Sequence, residues 1–317
     1  MLKILFAGNP SIGVNSLIEI SKHYDVVAVL TNPDRFKGRG RILEAPPIKV
    51  AAQQLGIPVL QYDRLLSESR EEVKNLGANF LVSFASGHYF GPKFLQLFDK
   101  GAINVHPSLL PLYRGPSPIQ FALLDGVSET GITIQRLAKE IDSGNILSQI
   151  KFNLDGDETA FTLEEKVASL APKQLVDTLN SIVEGTVEEI EQDHSKATFT
   201  RMLTKEDGII DWSNSAKTIH CQIRALAKWP KAYTTYKDTT LLITKVAGKV
   251  GDALDEERPP CIIPGSVLHY KKQKGIAITC NDAILYVERL QLAQKKELDS
   301  ASFLNGNKNF IGSFLGG

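Results

Sequence analysis

Asn104 and His106 stand two residues apart in the run Gly101–Gly115, GAINVHPSLLPLYRG. The apolar-flanked segment Ala102–His106 reads as a short strand that Pro107 ends, and alternation along a strand puts Asn104 and His106 on one face. A strand that presents an amide and an imidazole together and then breaks into a proline-containing loop fits the rim of a reaction site better than a core segment. Further on, AKEIDSG (138–144) reads as a turn with Asp142 at its tip. An amide, an imidazole and a carboxylate on strand-end loops suit acyl transfer. Asn104 can donate to a developing oxyanion, His106 can donate a second hydrogen bond or shuttle a proton, and Asp142 can hold the imidazole. No serine or cysteine stands where this group could activate it, so direct transfer is expected rather than a covalent intermediate. The same spacing also fits a satisfied structural His–Asp pair. His88, His194, His220 and His269 have no matching partners in the sequence, and no cluster has metal-ligand spacing.

The elements that must position these residues alternate in type. Leu2–Ala7, Asp25–Thr31, Pro58–Gln61 and Asn79–Ala85 are continuous apolar runs, separated by helical stretches near 11–21, 47–55 and 69–76. Such a pattern predicts an α/β fold: a doubly wound, mostly parallel, Rossmann-like sheet covered on both faces. The first turn, Gly8–Gly13, lacks the GxGxxG spacing, so no dinucleotide is inferred. Ligands of such sheets bind beyond the carboxyl ends of the strands, where Asn104 and His106 would sit. Helices are expected at 117–124 and 162–184, and strands at 130–137 and 145–152.

Residues 1–184 are expected to form this catalytic domain, 185–203 a linker, and 204–317 a second domain. That second half opens with a helix over 215–227 and continues as five alternating strands between Ala232 and Leu292, then a short helix near 299–304. An all-β run of this size predicts a small OB-like β-barrel of the kind that binds oligonucleotides.

Net charge is zero over the 317 residues. Cut at Thr204, the first part holds 20 basic and 24 acidic residues, a balance of −4, and the second holds 16 and 12, a balance of +4. The offset fits either simple scatter or a second half that meets a polyanion. The segment Asn32–Pro47, NPDRFKGRGRILEAPP, is long for a strand-to-helix connection, and it gathers Arg35, Lys37, Arg39 and Arg41 around two glycines. It reads as a flexible basic loop, either a solvated excursion or a clamp on a phosphate backbone. No apolar run is long enough to span a bilayer, and the start MLKILFAGN fits a buried strand better than a signal peptide. Cys221, Cys261 and Cys280 are odd in number and widely spaced, which fits buried thiols in a reducing cytoplasm.

The run NVHxSLLPxYRG (Asn104–Gly115) with DSG (Asp142–Gly144) resembles the 10-formyltetrahydrofolate-dependent formyltransferases. The resemblance extends along nearly the whole chain through FAGNP, TNPDRFKGRGR with APPIKVAA, LTKEDGIIDW, WPKAY, PGSV and LQLAQKKELDSASFLNG. Within that family, the basic GRG loop and the C-terminal segments are similar to the members that act on methionyl-tRNA. The resemblance implies transfer of a formyl group from 10-formyltetrahydrofolate to the amino group of initiator methionyl-tRNA, without a metal, in a cytoplasmic monomer. It implies Asn104, His106 and Asp142 as the catalytic trio, and Ser108, Leu109, Leu110 and Pro111 as folate contacts. It further implies that the loop carrying Arg35, Lys37, Arg39 and Arg41, together with the C-terminal barrel, holds the tRNA. Pro107 departs from the glycine often found after this histidine, and Phe36-Lys37 from the commoner Pro-Ala. Relatives using a sugar nucleotide or purine precursor, or hydrolysing the formyl donor, share the trio; the GRG loop and second half argue for the macromolecular acceptor.

Overall fold

The nearly all-apolar segments of the first half become parallel strands whose side chains are buried on both faces, as their composition requires. A computed structural model describes residues 1–37, 42–249 and 262–316. In chain order the first half contains β1 (Lys3–Gly8), α1 (Val14–Ile20), β2 (Asp25–Thr31), β3 (Arg35–Lys37), β4 (Ile42–Glu44), α2 (Pro47–Gln54) and β5 (Val59–Gln61). Then follow α3 (Ser67–Asn75), β6 (Phe80–Phe84), α4 (Pro92–Leu95), β7 (Gly101–His106), α5 (Pro118–Leu124), β8 (Glu129–Arg136), β9 (Ile146–Asn153) and α6 (Ala160–Glu184). The chain divides into two units. The first comprises Met1–Pro118, Thr130–Phe152 and Glu164–Thr200; Ile119–Glu129, Asn153–Leu163 and the chain from Arg201 onward make the second.

In the first unit a seven-stranded sheet has the order β5-β2-β1-β6-β7-β8-β9. Pairings from β5 through β7 are parallel, and β8 runs antiparallel to β7. Leu5, Ala7, Ala28, Leu30 and Leu81 alternate into one buried cluster with Phe94 and Phe98. Each such leucine or phenylalanine side chain contributes about 1.5–3 kcal/mol on burial. Parallel strands leave their carboxyl ends together, so Gly8, Phe84 and His106 open on the same edge.

One expectation changes here. The segment 32–47, expected as a flexible loop, contains a hairpin in which β3 pairs antiparallel with β4, Arg35 opposite Glu44 and Phe36 opposite Leu43. Three-residue strands are too short for an alternation signal to emerge from a charged background. The foot of the hairpin is fixed by Lys49, whose Nζ donates to Asp34 and to Gln61 at 2.8–2.9 Å. Arg35 donates to Asp63 at 2.8 Å, and both side chains are largely exposed. Arg39 and Arg41 lie outside the described residues, and Lys37 pairs with Ile42 through its backbone. Within the first unit, Ile190 exchanges backbone hydrogen bonds with Ile146, and Thr200 N–H donates to the Arg114 carbonyl.

The second unit contains α7 (Ala216–Ala225), β10 (Ala232–Tyr236), β11 (Thr239–Val246), β12 (Val267–Lys271), β13 (Gly275–Thr279), β14 (Ile284–Leu292), β15 (Leu298–Asp299) and α8 (Ser300–Gly306). Ser215 and Asp299 cap α7 and α8 by accepting from Thr218 N–H and Ser302 N–H. The strands form an antiparallel sheet of order β10-β11-β14-β13-β12, with β15 against β14. Its two edges are joined by the last described residues: Val267 accepts from Gly312 N–H and donates to Ser313, Leu315 donates to Gly265, and Gly316 donates to Thr235 of β10. The expected barrel is thus completed by the tail. Phe303, Phe310 and Tyr236 fill it with edge-on ring contacts at 4.8–5.0 Å. Cys221 and Cys280 are buried free thiols, burial pushing Cys280 up to about 12; Cys261 lies outside the described residues. No described helix is long and apolar enough to cross a membrane.

One acidic group in this unit predicts an acid response. Arg201 donates to both oxygens of Asp207, at 2.7 Å to Oδ2, and Thr204 N–H adds a bond of 2.6 Å. Chiefly through the guanidinium, the Asp207 carboxyl is held well below its usual value, at about 2. A carboxylate whose folded pKa is depressed stabilises the fold above its unfolded pKa of about 3.9 and loses that contribution as pH falls through the folded value. Asp207→Asn is therefore expected to lower the melting temperature at neutral pH, with the difference from the parent shrinking as thermal melts are taken down from about pH 4 towards about pH 2.

Candidate active site

β7 delivers Asn104 and His106 at its carboxyl end. Asn104 lies in register with Ser83 of β6 on one side and Gln135 of β8 on the other, and His106 lies opposite Thr133. Asp142 arrives from the turn between β8 and β9 in a left-handed conformation, φ 49°, which aspartate tolerates better than most residues. The three side chains meet: Asn104 Nδ2 donates to Asp142 Oδ1 at 3.3 Å, and His106 Nδ1 lies 3.5 Å from Asp142 Oδ2. The carboxylate also accepts from Gln135 Nε2 and from the Gly115 backbone N–H, each at 2.8 Å. Its side chain is 12% exposed and that of His106 5%, so these bonds act where water competes little. His106 Nε2 stands 2.8 Å from the Tyr113 carbonyl. A carbonyl can only accept, which places a proton on Nε2 and turns Nδ1 to the carboxylate. Asn104, half-buried, keeps its second amide N–H for a ligand.

Two glycines make this convergence possible. A Cβ on Gly144 would lie 1.9 Å from the Arg136 carbonyl oxygen, so only glycine lets the Asp142 turn close against β8. Gly115, at φ +115°, would drive a Cβ to 2.7 Å from Thr200 Oγ1 while its N–H is committed to Asp142. The glycines of YRG and DSG are thus requirements of close approach.

The segment Ser108–Pro111 folds back beside the trio. Ser108 is buried and its hydroxyl donates to the Leu112 carbonyl at 2.6 Å, so that hydroxyl is committed inside the loop. Leu110 is buried too, its N–H donating to Thr133 Oγ1, while its carbonyl accepts from Gln149. Leu109 and Pro111 are half-buried, and the Leu110–Pro111 bond is cis.

The chain after α6 then crosses these loops. Ile190 and Ile146 exchange backbone hydrogen bonds at 2.8–2.9 Å, and the Thr198 carbonyl accepts from Arg114 N–H at 2.9 Å. Between them Gln192, buried, donates to the carbonyls of Asp142 at 2.9 Å and Gly144 at 2.7 Å. The other five histidines are partnered: His23 with Glu19, His88 with Ser86 and the Tyr62 carbonyl, His194 with Arg114, His220 with Arg224, and His269 with Tyr286. His88 and His220 meet partners two and four residues away, whereas Tyr62, Arg114 and Tyr286 lie 26, 80 and 17 residues from their histidines, beyond what one-dimensional spacing reveals. Among the described residues no group of three or more His, Cys, Asp or Glu could hold a metal ion.

A family model described as formyl transferase matches residues 2–179, and one described as formyl transferase, C-terminal domain, matches residues 202–308. The chain belongs to the formyl transferase family. It is 38% identical over 312 residues to a methionyl-tRNA formyltransferase of Staphylococcus aureus (strain Newman), covering 98% of both chains. Among solved structures, its fold is similar to that of WlaRD, a sugar 3N-formyl transferase solved with dTDP and 5-N-formyl-THF. There the TM-score is 0.66 at 20% identity, over 93% of this chain and 99% of that one. It is also similar to a methionyl-tRNA formyltransferase from Clostridium thermocellum, TM-score 0.57 at 17% identity, over 80% and 96%.

In this formyl transferase, sequence reading missed Gln135, Arg114 and Gln192. Gln135 left a signal, an amide two residues from Thr133 on the same face of the strand TGITIQRL. Gln192 left none, because its partners lie about fifty residues earlier and its neighbours are exposed.

Proposed function

We propose that this chain transfers the formyl group of 10-formyltetrahydrofolate to the free amino group of initiator methionyl-tRNA. The carboxyl-end trio supports the reaction class, and one observation carries the acceptor: similarity to methionyl-tRNA formyltransferases runs through both units. In this reading residues 1–184 carry the chemistry, 185–203 connect, and 204–317 hold tRNA, in a cytoplasmic monomer.

The donor set fits a formamide carbonyl flanked by a leaving nitrogen. Asn104 donates its uncommitted amide N–H to the formyl oxygen as charge develops there, an arrangement whose removal elsewhere costs about 10²–10³ in rate. His106 offers the Nε2–H that the Tyr113 carbonyl now accepts; a formyl oxygen exchanges for that carbonyl as an acceptor of like kind. Asp142 holds Asn104 and His106 at fixed separation and is the base within reach of the proton the amine must lose. The balance is one N–C bond formed, one C–N bond broken, and one proton moved from the amine to the departing nitrogen. Bound 10-formyltetrahydrofolate supplies the carbonyl and that leaving nitrogen. Ser108, Leu109, Leu110 and Pro111 offer it backbone and apolar surface, since the Ser108 hydroxyl is committed to Leu112.

Arg35, Lys37, Arg39 and Arg41 are proposed to grip the acceptor end of the tRNA. Arg39→Ala is expected to raise KM for methionyl-tRNA with little change in kcat, and to flatten the salt dependence of binding by about one phosphate contact. Initial rates against tRNA at several salt concentrations measure this; an unchanged KM removes Arg39 from the interface.

Incubating the protein with 10-formyltetrahydrofolate and charged initiator tRNA tests the function directly. Formylmethionyl-tRNA is the expected product. Formylation of a dTDP-amino sugar, with none of the tRNA, would transfer the chain to the small-molecule branch of the family.

A further inference from the structure

We propose that Gln192 is a positioning residue for formyl transfer, holding the Asp142 turn in the one geometry that presents its carboxylate to Asn104 and His106; this inference rests on the function proposed above. The turn 138–144 belongs to no regular strand and has a left-handed residue at Asp142. Its backbone is held from outside. The Gln192 amide donates to the Asp142 and Gly144 carbonyls at 2.9 and 2.7 Å, and approaches Gln135 Oε1 at 3.3 Å. On its other side Oε1 accepts from Arg114 Nε at 3.1 Å and Nη2 at 2.7 Å. A flipped amide would set oxygen against two carbonyls and NH₂ against a guanidinium, so the orientation is determined.

The same amide ties together the two motifs that flank the carboxylate. Arg114, next to Gly115, fixes Gln192; Gly115 N–H binds one carboxylate oxygen of Asp142 from the front; Gln192 binds the Asp142 backbone from behind. Contact with Gln135 Oε1 turns the Gln135 NH₂ to the other carboxylate oxygen. Gln192 is delivered by register: Ile190 is locked to Ile146 by two backbone bonds, and Gln192 follows two residues later. Loss of its two donors frees the turn and the Gln135 amide at once.

Gln192→Glu keeps side-chain length and the acceptor for Arg114 but removes both donors, and Gln192→Met removes both functions at similar size. With formyl transfer as the assay, kcat should fall by about 10–100-fold, the scale of a misplacement of about 1 Å, and KM for either substrate should change little. Because Gln192 acts through Asp142, adding Gln192→Glu to Asp142→Asn should cause no further loss beyond Asp142→Asn alone. A folded Gln192→Glu with parental kcat overturns the proposal, as does a full multiplicative loss in the Asp142→Asn background. Should Gln192→Glu fail to fold, the same criteria apply to Gln192→Met. If the parent protein forms no formylmethionyl-tRNA, the proposed function fails, and the positioning is still read in the free protein. The His106 ring ¹⁵N resonances of the Gln192 variants should then move toward those of Asp142→Asn, and unmoved resonances overturn the role.

Discussion

Asp142→Asn is expected to lower kcat for formyl transfer by about 10²–10⁴-fold, the range over which a positioned proton-transfer group accelerates a reaction. The substitution is nearly isosteric, so its effect isolates charge and hydrogen-bond polarity. Asp142 now accepts from Asn104, Gln135 and Gly115, and faces His106 Nδ1. An asparagine can keep its oxygen toward Asn104 and Gln135, but its NH₂ then opposes the Gly115 N–H, donor against donor. Turning the amide over moves that conflict to the other two. One orientation strands the Gly115 N–H and the other strands the Asn104 and Gln135 amides, and in both the imidazole loses its anionic neighbour. Binding of methionyl-tRNA, proposed to rest on Arg35, Lys37, Arg39, Arg41 and residues 204–317, should persist. Single-turnover formylation with saturating tRNA measures the step itself; a variant with parental kcat would remove Asp142 from the chemistry.

Gly144→Ala should reach the same endpoint by a different route. The added Cβ has 1.9 Å to the Arg136 carbonyl oxygen, and that atom is sheet backbone rather than the end of a flexible chain. The turn must move, and Arg136 N–H must weaken its bond to the Asn145 carbonyl. Overpacking of this kind costs about 1–3 kcal/mol or more. Since Asp142 lies two residues before the clash, kcat should drop about 10²-fold through misplacement. Thermal melting and kcat, measured together, check both halves. Parental values for both would mean that the turn accommodates a side chain at no cost.

Much of this protein is legible in its sequence. The strands β1, β2 and β6 stand out because a parallel sheet covered on both faces demands uninterrupted apolar runs, and β10 and β11 because one buried and one exposed face demands alternation. Asn104 and His106 were recoverable from one strand's two-residue period, and the tip position of Asp142 from its turn residues. The hairpin β3–β4 was not, since its three-residue strands sit in a charged stretch with Phe36, Ile42 and Leu43 exposed. Nor were the contacts of His88 with Tyr62, His194 with Arg114 and His269 with Tyr286, each of which depends on a segment brought from elsewhere in the chain.

What the sequence determined by itself was therefore the set of local periodicities and the chemical types of the candidate site groups, because both are written within a few residues of chain. Only the tertiary structure decided that Asp142 meets Asn104 and His106, and that the chain beyond α6 returns to hold it. Those contacts span 38 and 50 residues and depend on a Cβ-free approach at Gly144 and on one amide, Gln192, whose sequence neighbours are exposed. A long-range polar contact leaves no periodic trace in a chain; its position is set by the packing of everything between.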